Sequence, residues 1–178
     1  QAGKQFDQAG VVLASEDAHV SIAKALNVMG LSGDSLHKLP TNQEGQISIE
    51  ALKDQLETFR SVGKKCFALV ATAGTTVRGA IDPLAALGEL CIREEIWFHV
   101  DGAIGGVFAI PQKTAPLLEG ISKANSVTVN PQKVLGITKT SSLLLVADRT
   151  HLVSTFSTGL PYMEPAWGDA PGGELGLQ

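Results

Sequence analysis

In the stretch Ile96-Trp97-Phe98-His99-Val100-Asp101-Gly102-Ala103-Ile104-Gly105-Gly106, an apolar run ends at an aspartate and is followed by glycines. A short apolar run bounded by turn residues is typical of a strand covered on both faces, as strands of parallel sheets are. The segment before it opens with Asp82-Pro83-Leu84 and predicts a helix that ends near Glu95. A helix that leads directly into a buried strand indicates an α/β domain.

The rest of the chain alternates in the same way between strand and helix patterns. Further strands are predicted over 11–15, 36–39, 66–71, 126–130 and 142–146, and further helices over 20–29 and from Ser48 to near Gly63. From Thr150 onward the chain is predicted to be loop. This alternation predicts a three-layer α/β/α domain with a mostly parallel sheet and right-handed crossovers.

Composition narrows the class of partner. The 178 residues, 44% of them hydrophobic, are enough for one domain with a substantial core. Net charge is −4 and no basic cluster occurs, so we expect a small-molecule partner, with no nucleic acid and no membrane. Cys66 and Cys91 form neither a redox motif nor a disulfide framework. Reduced cysteines, and the lack of a signal-peptide pattern or a run of about 18 apolar residues, favour a cytoplasmic protein.

Two residues at predicted strand ends suggest a cofactor chemistry. Asp101 closes one apolar run, and Lys133 follows a second one, Ser126-Val127-Thr128-Val129-Asn130-Pro131-Gln132. A lysine that forms a Schiff base and a carboxylate that keeps a pyridine nitrogen protonated are the two groups that pyridoxal 5'-phosphate requires. Ligands of open α/β sheets bind at the carboxyl ends of the strands, where both residues are predicted to lie. Singly, Asp101 could be a helix cap and Lys133, which the preceding Asn-Pro places in a turn, a solvated loop lysine.

Other candidates are weaker. His19 lies beside a predicted helix start, where its ring could stack on a planar ligand or simply cap the helix. The hydroxyl groups of Thr72-Ala73-Gly74-Thr75-Thr76 follow a third apolar strand and would meet the same crevice, unless this is an ordinary turn. The glycines after Asp101 do not form a nucleotide-binding motif. The remaining histidines have no metal-binding spacing, so no metal is expected.

With these residues in place, the chain resembles the group II pyridoxal phosphate-dependent amino acid decarboxylases, the family of the glutamate and aromatic-amino-acid decarboxylases. The resemblance is carried by four ordered segments: Asp17-Ala18-His19-Val20-Ser21-Ile22-Ala23-Lys24-Ala25, Ala71-Thr72-Ala73-Gly74-Thr75-Thr76-Val77-Arg78-Gly79-Ala80-Ile81-Asp82-Pro83, His99-Val100-Asp101-Gly102-Ala103-Ile104-Gly105-Gly106 and Ala124-Asn125-Ser126-Val127-Thr128-Val129-Asn130-Pro131-Gln132-Lys133. It implies that residues 1–178 form part of a large domain with the aspartate aminotransferase fold. The N-terminal segment and the smaller C-terminal domain are expected to be missing.

The resemblance also implies roles for individual residues. Lys133 would bind the cofactor covalently, Asp101 would pair with its ring nitrogen, and His19 would stack on the ring. Ala103 would pack on the other face of the ring, Thr75 would lie near the ring substituents, and Asn130 and Gln132 would flank the phosphate. Two positions depart from the family: Gln132 stands where histidine is usual, and Gly102 where alanine is common.

Tyr162 is the only tyrosine in the chain. The resemblance implies that it belongs to a mobile loop and returns a proton to the substrate carbon, often across a dimer interface. The alternative is an ordinary loop tyrosine, because the residues around it match the family poorly.

The function expected from these observations is PLP-dependent decarboxylation of an L-amino acid to the amine and carbon dioxide. An aminotransferase or carbon–carbon lyase of the same fold, or a noncatalytic protein that keeps the fold, are the alternatives. The full-length protein is expected to be a homodimer, and the present chain to be inactive alone. Glutamate, an aromatic amino acid, cysteine sulfinate and diaminobutyrate all remain open as substrates.

Overall fold

A computed structural model of the chain describes residues 10–138 and 140–156. Two compact units can be distinguished, residues 1–145 and residues 146–178. The first contains nearly all of the sheet and every residue discussed below as part of a site. In the second, the described residues include one helix, Arg149–Phe156.

A six-stranded sheet forms the centre of the fold. Its strands are β1 (Gly10–Ser15), β2 (Leu36–Leu39), β3 (Lys65–Thr72), β4 (Trp97–Asp101), β5 (Ser126–Val129) and β6 (Leu143–Val146), in the spatial order β2-β1-β3-β4-β5-β6. The pairs β1–β2, β1–β3, β3–β4 and β4–β5 are all parallel. From β1, the next strand in sequence, β2, lies on one side, and the strands from β3 onward lie on the other. Open parallel sheets place their ligand crevice at such a point, here between β1 and β3.

Five α-helices are described: α1 (Ser21–Val28), α2 (Ile49–Ser61), α3 (Leu84–Arg93), α4 (Pro131–Val134) and, in the second unit, α5 (Arg149–Phe156). The first three cover the two faces of the sheet. Leu52 and Leu56 of α2 and Leu87 of α3 belong to the larger buried cluster, on one face of the sheet. Leu26 of α1 packs in a smaller cluster with Val12 and its neighbours on the other face. The three-layer α/β architecture with a mostly parallel sheet is thereby confirmed.

The start of α2 shows how local sequence sets an element. Ser48 is extended, and its side-chain oxygen accepts a hydrogen bond from the backbone N–H of Ala51 at 3.2 Å. This satisfies one of the N–H groups that the first helical turn leaves unpaired. Apolar residues at helical spacing then turn one side of α2 toward the sheet.

Two predictions about local structure were wrong. Lys133 does not lie in a turn but in the one-turn helix α4, because Pro131 holds Asn130 extended and is itself suited to the first helical position. The chain after Thr150 is not all loop, since α5 spans Arg149–Phe156. The missed signal was Asp148, whose carboxylate accepts a hydrogen bond from the backbone N–H of Thr150 at 2.8 Å. Within the described residues, none of the helices is both long and apolar enough to traverse a membrane.

Candidate active site

A cavity of about 300 Å³ opens at the carboxyl ends of the strands, next to the point where strand order reverses. Segments that follow β1, β3, β4 and β5 form its walls. Six residues that the sequence singled out line it together: His19, Thr75, Asp101, Ala103, Asn130 and Lys133. Residues far apart in sequence thus converge on a space suited to one small ligand.

Two of the predicted residues are not part of this cavity as described. Gln132 lies in α4 but does not line the cavity, and its side-chain Oε1 is buried without a hydrogen-bond partner among the described residues. Tyr162 lies outside the described residues. The roles expected for both stay predictions.

Asp101 is held by the turn that follows it. Its Oδ1 accepts a hydrogen bond from the backbone N–H of Ala103 at 3.1 Å, and the residue is half-buried. Among the hydrogen bonds of residues 10–138 and 140–156, none involves the second carboxylate oxygen. Asp101 can therefore keep its orientation and still accept a hydrogen bond from a ligand N–H.

Lys133 and Asn130 lie on the opposite side of β4 from the β3 turn. Lys133 is exposed, and its backbone N–H donates to the carbonyl oxygen of Asn130 at 2.9 Å. The Asn130 Oδ1 accepts a hydrogen bond from the hydroxyl group of Ser142 at 2.6 Å. The short helix α4 thus places the lysine amine beside the crevice, with Asn130 fixed at its base.

A buried carboxylate stabilises the turn after β3 through hydrogen bonds to the backbone. Asp82 accepts one hydrogen bond from the backbone N–H of Thr72 and one from that of Ile47, each at 2.7 Å. Burial raises the pKa of the Asp82 carboxyl, against these two hydrogen bonds, which lower it. Thr75 is buried, and its hydroxyl oxygen accepts the backbone N–H of Ala80 at 3.0 Å. Its hydroxyl hydrogen remains to donate toward the cavity.

Glycines allow the β4 and β3 turns to approach each other. The backbone N–H of Gly105 donates to the carbonyl oxygen of Ala73 at 2.9 Å. A Cβ atom at Gly105 would lie 2.4 Å from that oxygen. Gly74 adopts φ 92°, a left-handed conformation that favours glycine. This contact forms the corner of the cavity between Thr75 and Ala103.

His19 lines the cavity and is hydrogen-bonded at the start of α1, while its stacking on a planar ligand stays a prediction. Its Nδ1 accepts a hydrogen bond from the backbone N–H of Ser21 at 3.2 Å and lies 2.9 Å from the Ser21 hydroxyl oxygen. The ring thus caps the approach to α1 while lining the cavity. Since Nδ1 accepts a backbone hydrogen bond, the neutral ring carries its proton on Nε2.

Apart from Asp101, the sequence analysis missed a row of polar side chains on β4 and β5, of which His99, Asp101 and Thr128 line the cavity. We call it the polar ladder: Trp97, His99 and Asp101 on β4, and Ser126 and Thr128 on β5. His99 pairs in register with Ser126, and Asp101 with Thr128. Burial lowers the pKa of His99, and the nearby Asp101 raises it by a smaller amount. The signal was a period-two polar pattern on both strands, which is easily overlooked inside two otherwise apolar runs.

The residues around the cavity fit pyridoxal phosphate. They provide an amine, a carboxylate with one oxygen available, and threonine hydroxyl groups, within a cavity that suits one planar ring. In the described part of the chain, no group of three or more His, Cys, Asp or Glu side chains is placed to hold a metal ion.

Comparison with known proteins gives a family match. The family model described as "Pyridoxal-dependent decarboxylase conserved domain" matches residues 2–170. An aromatic-L-amino-acid decarboxylase from Bacillus atrophaeus is 34% identical over 172 residues, which are 94% of this chain and 36% of the relative. A cysteine sulfinic acid decarboxylase from Mus musculus is 38% identical over 139 residues, 78% of this chain and 28% of the relative.

Solved structures agree with these matches. The apo form of mouse CSAD superposes with a TM-score of 0.77 at 37% identity, over 79% of this chain and 30% of that chain. A Catharanthus roseus tryptophan decarboxylase in complex with L-tryptophan gives a TM-score of 0.80 at 27% identity, over 86% and 34%. The chain spans only about a third of the length of these relatives.

Proposed function

The chain belongs to the pyridoxal-dependent decarboxylase family, and from that premise we propose that the protein carrying it removes carbon dioxide from an L-amino acid to give the amine. The observation that supports this most directly is the convergence of Asp101 and Lys133 on one cavity. Relatives whose names state decarboxylation of aromatic amino acids, cysteine sulfinic acid and diaminobutyrate support the reaction class.

Pyridoxal phosphate, when bound, supplies an electron sink for the pair of electrons that carbon dioxide leaves behind. The residues of this chain do the rest. Lys133 Nζ would hold the cofactor covalently. The available oxygen of Asp101 would accept a hydrogen bond from the ring N–H and keep that proton in place. His19 would cover one face of the ring, and the Thr75 hydroxyl group would donate to a ring substituent.

The return of a proton to the substrate carbon requires an acid near the cavity. Tyr162 remains our candidate, on the resemblance alone. For the phosphate, we propose Asn130, whose position at the cavity supports the role, and Gln132 through its amide N–H groups. Ala103 would pack against the ring face opposite His19.

We also propose that the full-length protein is a cytoplasmic homodimer. The two cysteines, Cys66 and Cys91, are buried free thiols, which is compatible with a reducing compartment. The family resemblance supports the dimer. Sedimentation of the full-length protein would test whether it is a homodimer.

The test uses the full-length protein with added cofactor and a panel of L-amino acids: glutamate, aromatic amino acids, cysteine sulfinate and diaminobutyrate. Carbon dioxide and amine are expected in equal amounts from at least one of them. Lys133→Ala should lower turnover by about a thousandfold or more. Lys53→Ala, which removes an exposed lysine of α2, should leave turnover unchanged. A near-normal rate in Lys133→Ala, or keto acid in place of amine, would contradict the proposal.

A further inference from the structure

Hydrogen bonds connect four side chains of the polar ladder into one continuous network. The indole Nε1–H of Trp97 donates to the Ser126 hydroxyl oxygen at 2.9 Å, and that oxygen lies 2.8 Å from Nδ1 of His99. On the other side of the ring, His99 Nε2 lies 3.3 Å from the Thr128 hydroxyl oxygen. Thr128 lines the cavity beside Asp101, its register partner. The hydrogen-bond network therefore runs from the sheet interior to the cavity wall.

Ser126 determines which atoms donate and which accept in this hydrogen-bond network. Its side chain is buried, and its hydroxyl group has two hydrogen-bond neighbours among residues 10–138 and 140–156, Trp97 Nε1 and His99 Nδ1. The indole N–H can only donate, so Ser126 accepts there. The hydroxyl hydrogen of Ser126 is then satisfied only if His99 Nδ1 accepts it. A proton on Nδ1 would instead leave a buried hydroxyl donor without an acceptor, which is costly.

These hydrogen bonds determine which tautomer the neutral ring of His99 adopts. With Nδ1 accepting, the neutral imidazole carries its proton on Nε2 and donates to the Thr128 oxygen. Thr128 cannot donate back to the ring, so its own hydroxyl hydrogen is left for an acceptor in the cavity. The other titratable groups that line this cavity are Asp17, His19, Asp101 and Lys133. Of these, the carboxylate of Asp101 is the acceptor nearest in register to Thr128.

We propose that His99 is a positioning residue of the cofactor site: it holds the Nε2–H tautomer and turns the Thr128 hydroxyl group into a donor toward the Asp101 carboxylate, the group proposed to pair with the ring nitrogen. The expected effect on cofactor binding rests on the proposed function, whereas the tautomer of His99 does not depend on it. His99 itself lines the cavity, and its proposed effect on the cofactor is exerted through the Thr128 hydroxyl group.

The first experiment tests the ring without the cofactor. The cofactor-free full-length protein is labelled with ¹⁵N in its histidine rings, and two-bond ¹H–¹⁵N spectra are recorded at neutral pH. The His99 signals, assigned by their loss in His99→Gln, should show the Nε2–H tautomer. In Thr128→Val the tautomer should persist, because Ser126 still donates to Nδ1. A neutral Nδ1–H ring or a protonated ring in the wild type would overturn the proposal, whatever reaction the enzyme catalyses.

The second experiment measures the effect at the cofactor. Thr128→Val should raise the dissociation constant for pyridoxal phosphate, measured by absorbance titration, by about tenfold, the effect of one lost hydrogen bond to a charged group. Ser126→Ala, which releases the ring, should have a similar but smaller effect. The double variant should resemble Thr128→Val alone rather than combine the two losses, because both act through one hydroxyl group. Ser61→Ala at the exposed end of α2 is the matched control and should change nothing.

Substitutions at His99 complete the test. His99→Gln retains an amide that can accept from Ser126 and donate to Thr128, and it should keep most of the cofactor affinity. His99→Leu should lose about as much affinity as Thr128→Val. Additive losses in the double variant, or equal losses in His99→Gln and His99→Leu, would overturn the proposal. A protein that binds no pyridoxal phosphate at all would refute the proposed function, and with it this consequence, while the measured tautomer would still decide the state of the ring.

Discussion

Asp82 is the residue on which the geometry of the β3 turn depends most. It uses both carboxylate oxygens, one for the N–H of Thr72 at the end of β3 and one for the N–H of Ile47 before α2. Asp82, Thr72 and Ile47 are only 4%, 6% and 1% exposed, so neither N–H group can turn to water instead. An ordinary view of Asp82-Pro83 as a helix start is correct, but it omits this connection between two distant segments.

Asp82→Asn should therefore lower the free energy of unfolding by about 2 kcal/mol. The amide has a single acceptor oxygen, and its NH₂ group would face one of the two backbone N–H groups. Urea unfolding of wild type and variant at neutral pH measures the difference. Asp54→Asn, on the exposed side of α2, is the control and should fall within about 0.5 kcal/mol of wild type. Equal stability of the two variants would contradict the prediction.

His99 predicts a pH dependence of stability. Because burial lowers its pKa in the folded state, the unfolded chain takes up a proton first as the pH falls. The stabilising contribution is thus fully present above the ordinary histidine pKa of about 6.5 and is lost as the pH falls through the lowered folded pKa. The charge of Asp101 opposes this shift without reversing it.

The free energy of unfolding should accordingly fall less in His99→Gln than in wild type between about pH 7.5 and pH 5. Thr128→Val keeps the partly buried imidazole and should retain the wild-type slope. Urea unfolding across this range measures both. The same slope in His99→Gln as in wild type would show that another group is responsible.

At the scale of elements, the site depends on how closely two turns pack. The β4 turn meets the β3 turn through Gly105 and the carbonyl group of Ala73, at a distance that leaves no room for a side chain. Gly105→Ala should cost about 2–3 kcal/mol, because backbone on both sides would have to move. It should also weaken cofactor binding, since both turns line the cavity.

Gly33→Ala is the matched control for this substitution. Gly33 has no atoms within 4 Å of a Cβ position, and its φ is not in the left-handed region. Its melting temperature should stay within a few degrees of wild type, whereas that of Gly105→Ala should fall clearly. If both variants melted alike, close packing of the turns would not be the cause.

Much of this element structure was readable from the sequence. Every predicted strand and the three larger helices exist, because long apolar runs and the Ser48 cap are strong local signals. The short helix α4 and helix α5 were missed, since a one-turn helix has no periodicity and the cap before α5 is a single aspartate.

The positions of several candidate site residues could also be predicted, although their roles stay predictions. His19, Asp101 and Lys133 follow separate strands, and parallel strand order alone brings their ends together. The polar ladder could not be predicted in the same way. It depends on the register of β4 against β5, which pairs His99 with Ser126, and register is a tertiary property. The buried Oε1 of Gln132 likewise has no sequence signal.

At the scale of the whole molecule, the exposed surface is the most informative feature. Leu143, Leu144 and Leu145 of β6 are 49%, 56% and 54% exposed. Neighbouring residues of a strand point to opposite faces, so both faces of β6 lack cover within the described chain. β6 also lies last in the strand order, and an exposed apolar edge strand promotes association. The relatives are about three times longer than this chain, which leaves ample sequence to cover such a strand in a longer protein.

The 178-residue chain produced alone should therefore self-associate and give no amine with added cofactor. Leu144→Lys places a charge on the exposed strand and should reduce association, as measured by sedimentation velocity, because charged side chains block edge-to-edge pairing. Val77→Lys is the control: Val77 is 94% exposed in the turn after β3, outside any strand, so this change should leave association as it was. If both lysine variants reduced association equally, net charge rather than β6 would be the cause. A monomeric chain that formed amine in a Lys133-dependent manner would contradict the prediction entirely, since it would show that residues 1–178 suffice for both a closed surface and a complete site.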